Sequence, residues 1–168
     1  MSLLNGLLAR GVVALANSAR KLQTLQMRLT AGEIKDGMEH LEPYGFTSCP
    51  LPGAEGLAAF LGGDRSHGVV VVVTDRRHRI QGLEPGEVAI FTDEGDFIRM
   101  KRGRVIDIET HTLNIRAATA VNFDTPLITQ TGQLESQGDV KAGGVSLINH
   151  PHAGVQPGSG QTGKPVAG

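Results

Sequence analysis

Large aromatic side chains are scarce: 168 residues contain no tryptophan, one tyrosine and five phenylalanines. Any core must therefore be assembled from Val, Ile, Leu and Ala, and the chain is expected to need partners to bury enough surface. The single cysteine, Cys49, excludes an internal disulfide, so the chain folds without covalent staples, as proteins made in a reducing cytoplasm do. Cys49 itself reads as a small half-buried apolar residue. A formal net charge of −1, with neither half strongly basic, withholds the electrostatic pull that dominates nucleic-acid and acidic-membrane affinity. No nucleic-acid partner is expected. No stretch approaches the roughly 18 uncharged apolar residues of a membrane-spanning helix. The apolar N-terminal run has no positively charged start and is broken by Arg10, so it reads as mature sequence, not as a signal peptide.

Glycine and proline are abundant instead, at 23 and 8 residues, and long packed helices cannot dominate. Residues 2–20 set Leu4, Leu7, Leu8, Val12, Leu15 and Ala19 at helical spacing, weakened by Gly6 and Gly11. The expectation is a short, marginal amphipathic helix docked on its own domain or on a partner. From Lys21 the period changes. Leu25, Met27 and Leu29 alternate with Gln26 and Arg28 as in a half-buried strand. Turn signals then recur at Ala31-Gly32, Asp36-Gly37, Tyr44-Gly45, Pro52-Gly53, Gly62-Gly63, Gly82, Pro85-Gly86 and Glu94-Gly95, with strand-sized pieces between them. Leu57 to Leu61 suits a short helical or strand segment. Val69 to Val73 is an unbroken β-branched run that suits a strand buried on both faces of a small closed barrel. The spacing predicts a barrel of OB type over 21–98.

Beyond residue 98 the apolar faces shrink. Ile106 and Ile108, Leu113, Ile115 and Ala117, Val121 and Phe123, then Leu127, alternate with polar residues as successive short strands. Two or three modest side chains per strand cannot bury a core alone, so residues 99–148 should stack on themselves as a solenoid or intertwine with identical chains as a β-helix. From Gly143 the composition turns to Gly, Pro, Ser and Thr, as in a disordered tail.

Within that tail His150 and His152 are two apart, which puts both imidazoles on one side of an extended strand. One chain offers too few ligands for a stable site, whereas three chains around an axis offer six imidazoles, an octahedral set that suits iron or another first-row metal better than tetrahedral zinc. The bland alternative is a solvated histidine pair in a flexible tail. Cupin enzymes also use His-x-His, but they need a following Glu and a later His, and residues 153–168 contain neither. A saturated octahedral site would also leave no position for substrate, so the chain is not expected to be an enzyme. Arg76, Arg77, His78 and Arg79 read as a solvated hairpin turn, and Asp64-Arg65-Ser66-His67 as a turn rather than a hydrolase constellation. His40 and His111 belong to no ligand pattern. An OB-fold module binding nucleic acid or carbohydrate with a flexible tail is the competing reading, though aromatic stacking platforms for single strands are scarce.

The run from Glu42 to Gly103, with YGFTS, LPGAEGL, GGDRSHGV and PGEVAIF as its markers, resembles the N-terminal domain of the central spike proteins of Mu-like phages, the baseplate assembly protein V family. The resemblance implies a homotrimer in the tail baseplate of the virion, assembled in the host cytoplasm. An OB-fold collar would bind the tail hub and baseplate proteins, and an intertwined β-helix would taper to a tip that pierces the host outer membrane when the sheath contracts. It also implies one iron ion per trimer, held by His150 and His152 of each chain, with calcium and chloride as further axial ions in some members. Its organisation would be a hub-contacting leader helix over 1–20, with Leu4, Leu7, Leu8 and Val12 as contact residues, the OB barrel over 21–98, the spike over 99–148 and the metal-binding tip and tail over 149–168.

Overall fold

The computed structural model describes residues 7–151, 153–154 and 158. Residues up to Ile115 make one compact unit, and the chain from Arg116 makes a second. In the first unit, β1 (Leu8–Asn17), β2 (Thr24–Leu29), β3 (Ile34–His40), β4 (Glu55–Phe60) and β5 (Gly68–Thr74) close into a barrel in the order β1-β2-β3-β5-β4, and β4 pairs back onto β1. Only the short β3–β5 contact, Glu39 to Val69 and His40 to Val70, is parallel. Closure removes the sheet's open edges. The fold is mainly β, and the barrel is of the OB-like kind that the turn spacing predicts.

Leu25, Met27 and Leu29 point inward as their alternation requires, and Gly56, Ala58 and Phe60 do so from β4. The core these make with Ala9, Val13, Met38, Ala54 and Val70 departs from the expected Val, Ile, Leu and Ala filling. It contains two methionines, one phenylalanine and no isoleucine. The reason is a set of holes. A Cβ on Gly56 would lie 2.7 Å from Met27 Cε, and one on Gly68 would lie 2.6 Å from Met38 Cε and 2.7 Å from Phe60 Cε1. Flexible thioethers and one ring fill the volume that the glycines vacate. At the rim, the Arg65 guanidinium sits 4.5 Å from the Phe60 ring centroid and pairs with Glu33.

The helix expected over 2–20 is absent from Leu8–Asn17, which is the first barrel strand. Residues 1–6, Leu4 among them, lie outside the described residues. Two features misled the pattern. The barrel interior is narrow, so β1 sends Ala9, Gly11 and Val13 inward and leaves Leu8 and Leu15 exposed; the leucine stripe is the outer face. A bulge between Val13 and Leu15 then brings Ala16 back to the core, a spacing that mimics helical periodicity. Gly11 permits the close pairing, since a Cβ there would meet the Arg28 carbonyl oxygen at 2.7 Å. The barrel strands thus run from Leu8 to Thr74, beginning inside the segment read as a leader.

Two further expectations change. The valine run is buried on both faces only at Val69 and Val70; a bulge opposite Leu57 and Ala58 makes Val71 an extra residue, and Val71 and Val72 are exposed. Asp36-Gly37 is no turn but a bulge within β3, where Asp36 Oδ1 accepts the Gly37 N–H at 2.9 Å.

Buried polar groups tie the loop after β3 to the barrel. Gln23 Nε2 donates to His40 Nδ1 at 3.1 Å and to the Ser48 carbonyl at 2.7 Å. Burial holds the His40 imidazole below its ordinary pKa, against the opposing pull of Glu42, so it stays neutral. Glu42 accepts from Thr47 Oγ1 and from the Ser48 N–H. Cys49 lies exposed on this loop, not half-buried, alongside the fully exposed Tyr44.

A second sheet follows, formed by β6 (Val88–Phe91), β7 (Phe97–Lys101) and β8 (Val105–Glu109) as an antiparallel meander. Its register puts Val88, Met100 and Ile106 in one cross-strand row and Ile90, Ile98 and Ile108 in another, on the same face. All are exposed. The opposite face, with Ala89, Arg99 and Asp107, is the more covered one. There Glu87 accepts from Arg99 Nη2 at 2.7 Å, from the Arg102 N–H at 3.1 Å and from the Glu84 N–H at 3.2 Å. Those donors, Arg99 first, lower its pKa to about 2.

Among the described residues none beyond Val70 is buried. The strands expected near Leu113, Val121 and Leu127 find no ladder partner among the described residues, and none is formed between residues 110 and 140. Only β8, around Ile106 and Ile108, appears as the alternation predicts. In the second unit, β9 (Lys141–Ala142) and β10 (Val145–Ser146) form a short hairpin.

Two consequences are measurable. Gly68→Ala should lower barrel stability by about 1–3 kcal/mol, the ordinary cost of overpacking, read from the thermal unfolding midpoint. An unchanged midpoint would mean that Met38 and Phe60 give way freely. Because folding lowers the Glu87 pKa, its contribution is complete above the ordinary value of 4.5 and is lost as pH falls toward about 2. Glu87→Gln should therefore be destabilising at pH 7 and nearly neutral at pH 2, in denaturant midpoints measured at both. An equal difference at the two pH values would exclude the ionised-carboxylate origin.

Candidate functional site

His150 is positioned by a small polar knot in the second unit. Gly143 and Gly144 both have positive φ, 56° and 86°, which is the backbone that a two-residue hairpin loop of type I′ demands. The turn pairs Ala142 with Val145 and Lys141 with Ser146. The Leu147 N–H then returns to the Val140 carbonyl at 2.8 Å. Asp139 closes the base: its Oδ1 accepts from Ser146 Oγ at 2.9 Å and from the Ile148 N–H at 3.2 Å. Ser146 Oγ in turn accepts the Asn149 N–H at 2.8 Å.

The His150 ring joins these contacts, with Nδ1 2.8 Å from the Ser146 carbonyl oxygen. A carbonyl has no proton to give, so Nδ1–H is the donor, and in the neutral imidazole Nε2 carries the lone pair. That tautomer is the one that ligates metals through Nε2 while the other nitrogen is held by a backbone carbonyl. The residue therefore fits a metal-ligand role. His152 lies outside the described residues. Among the described residues of a single chain no group of three or more His, Cys, Asp or Glu side chains gathers to hold a metal.

The other candidates resolve into structural roles. Asp64 Oδ1 accepts both the N–H and the hydroxyl of Ser66, at 2.8 and 2.7 Å, so the hydrolase-like residues form a capped turn. In the basic run, Arg76 and Arg77 are spent on carboxylates and Arg79 bonds the Ile80 carbonyl. Arg76 joins Arg10 on Glu55, and Arg77 pairs with Asp75 at 2.5 Å while also bonding the Pro52 carbonyl. These donors lower the Glu55 pKa and hold Asp75 at about 2. The only aromatic side chain in the barrel strands, Phe60, is buried, leaving those strands no stacking platform for single-stranded nucleic acid. Of the contact residues expected at the N-terminus, Leu7 and Val12 are half-buried and Leu8 is exposed on β1.

The motif words also acquire physical meaning. In LPGAEGL, the Gly53 N–H donates to Val13 and the Val13 N–H to Ala54, both at 2.8 Å, and Gly53, at φ 95°, lies beneath the Arg77 guanidinium. In YGFTS, Thr47 and Ser48 supply the donors to Glu42. In PGEVAIF, Glu87 is the acceptor that organises the second sheet. Sequence reasoning missed Gln23, His40, Glu42 and Glu87 because no local periodicity marks a long-range polar contact.

Comparison with known proteins follows the same division of the chain. The family description Bacteriophage Mu Gp45, N-terminal, matches residues 10–77, which take in all but the first two residues of the barrel strands, and the description GpV Apex motif matches residues 144–166. The chain is 46% identical over 132 residues, 78% of its length, to the "Baseplate puncturing device gp45" of Escherichia phage Mu, and spans 66% of that protein. It is 36% identical over 172 residues, 95% of its length, to the "Mu-like prophage FluMu protein gp45" of Haemophilus influenzae, and spans 90% of it.

Proposed function

The chain belongs to the bacteriophage Mu Gp45 family, and from that premise we propose that it is the central spike of a contractile phage tail, a homotrimeric baseplate component that punctures the host outer membrane. The observation that carries this reading is the open apolar face of β6–β8. Val88, Ile90, Ile98, Met100, Ile106 and Ile108 stand together on it, all of them exposed. A single small sheet exposing such a face is not stable in water. Copies of the same chain, turned about a common axis, supply the missing cover.

The same logic extends to the tip. Threefold symmetry collects six imidazoles from His150 and His152, and iron bound there would lock three chain ends that otherwise fray. The Nδ1–H contact of His150 with the Ser146 carbonyl is the kind that accompanies metal ligation through Nε2, which supports that role. Intertwined chains cannot leave one at a time, so the needle transmits force without splaying. The role is mechanical and not catalytic. The collar would meet the tail hub, with Leu7, Leu8 and Val12 on β1 and the neighbouring Leu4 as contact residues.

Native mass measurement should return a trimer carrying one iron. Ile98→Asp combined with Ile108→Asp should abolish the trimer while hydrogen exchange in the barrel strands stays slow; an intact trimer would place the interface elsewhere. His150→Ala with His152→Ala should release the iron and leave the collar folded. Retention of iron by that variant would sink the tip assignment.

A further inference from the structure

We propose that Asp139 is the positioning residue of the metal tip, acting through Ser146 to present His150 in the ligating tautomer. The proposal rests on the reading of His150 as a metal ligand. Within the chain, packing does little to hold the segment before His150, because Leu147 and Ile148 are 67% and 63% exposed. A hairpin of two residues per strand is equally weak by itself. What orients the segment is the Asp139 carboxylate. Its Oδ1 grips the hydroxyl of Ser146 and the N–H of Ile148, which bracket the turn that delivers His150.

Ser146 is the relay. Its Oγ donates to Asp139 and accepts from the Asn149 N–H, and its carbonyl accepts from His150 Nδ1–H. With the hydroxyl engaged on both sides, the peptide plane that aims the carbonyl at the imidazole is fixed. Loss of Asp139 frees the hydroxyl and the Ile148 N–H together. The carbonyl then swings, and the imidazole samples the tautomer with the proton on Nε2, which cannot ligate through that atom. Outer contacts of this kind are worth about 10–100-fold in metal affinity.

The experiment uses the full-length protein, with ferrous iron as the probe. Bound iron is measured by elemental analysis and chelator competition, and the His150 tautomer by nitrogen NMR of metal-free protein labelled at histidine, assigned with His150→Ala. Asp139→Ala should weaken iron binding by about 10–100-fold and move the His150 signals toward the Nε2–H form, with the trimer and barrel unchanged. Asp139→Asn, whose amide oxygen still accepts both bonds, should stay within about threefold of wild type, separating geometry from charge. Ser146→Ala, which keeps the carbonyl but frees it, should reproduce much of the Asp139→Ala effect and serves if that variant fails to fold. Wild-type iron affinity and an unchanged His150 tautomer in Asp139→Ala would overturn the proposal. A wild-type protein that takes up no iron would overturn the metal reading beneath it, and the tautomer spectrum distinguishes that result from a failure of Asp139 itself.

Discussion

Five short strands closing on themselves leave an interior with room for very little, and that narrowness governs the collar. Large side chains cannot face each other across it, so glycines at 56 and 68 stand opposite Met27, Met38 and Phe60. The same limit selects Ala9, Gly11 and Val13 as the inward face of β1 and sends its leucines outside. With the β1 leucines outside, the barrel carries exposed apolar residues on its wall. Scarce aromatics are therefore a property the small barrel needs.

The second sheet turns the usual pattern around. In a self-sufficient domain the apolar rows face the core and the charges face water. In β6–β8 the polar face is the more covered, organised by Glu87 and Arg99, and the apolar rows are open. In the proposed trimer such a sheet is half of a structure whose other half is made of copies. The absence of ladders among the described residues between 110 and 140 has the same origin if those segments pair with other chains, since a strand exists only where a neighbour completes its hydrogen bonds.

Carboxylates do at the loops what packing does in the barrel. Glu42 holds the loop after β3, Glu55 gathers Arg10 and Arg76, Glu87 gathers Arg99 and the Arg102 and Glu84 amides, and Asp139 holds the turn before His150. Each satisfies several donors at one point. Of these carboxylates, Glu55 lies in LPGAEGL and Glu87 in PGEVAIF, and Glu42 precedes YGFTS, beside glycines whose positive φ the turns require.

Local pattern in the chain was enough for a mainly β protein, for the inward set Leu25, Met27 and Leu29, for most of the glycine turns and for the thin core beyond the barrel. These depend on period, composition and spacing, which a sequence displays directly. It misread β1 as a helix, because a bulged strand at the wall of a narrow barrel shares helical spacing, and it overestimated the burial of Val71 and Val72, because a bulge is invisible without its partner strand. Only the tertiary structure could pair Glu87 with Arg99, bury His40 against Gln23, align the two apolar rows of β6–β8 and reveal Asp139 and Ser146 behind His150. Those features are made by residues that fold together from separate parts of the chain, and no local period encodes such a meeting.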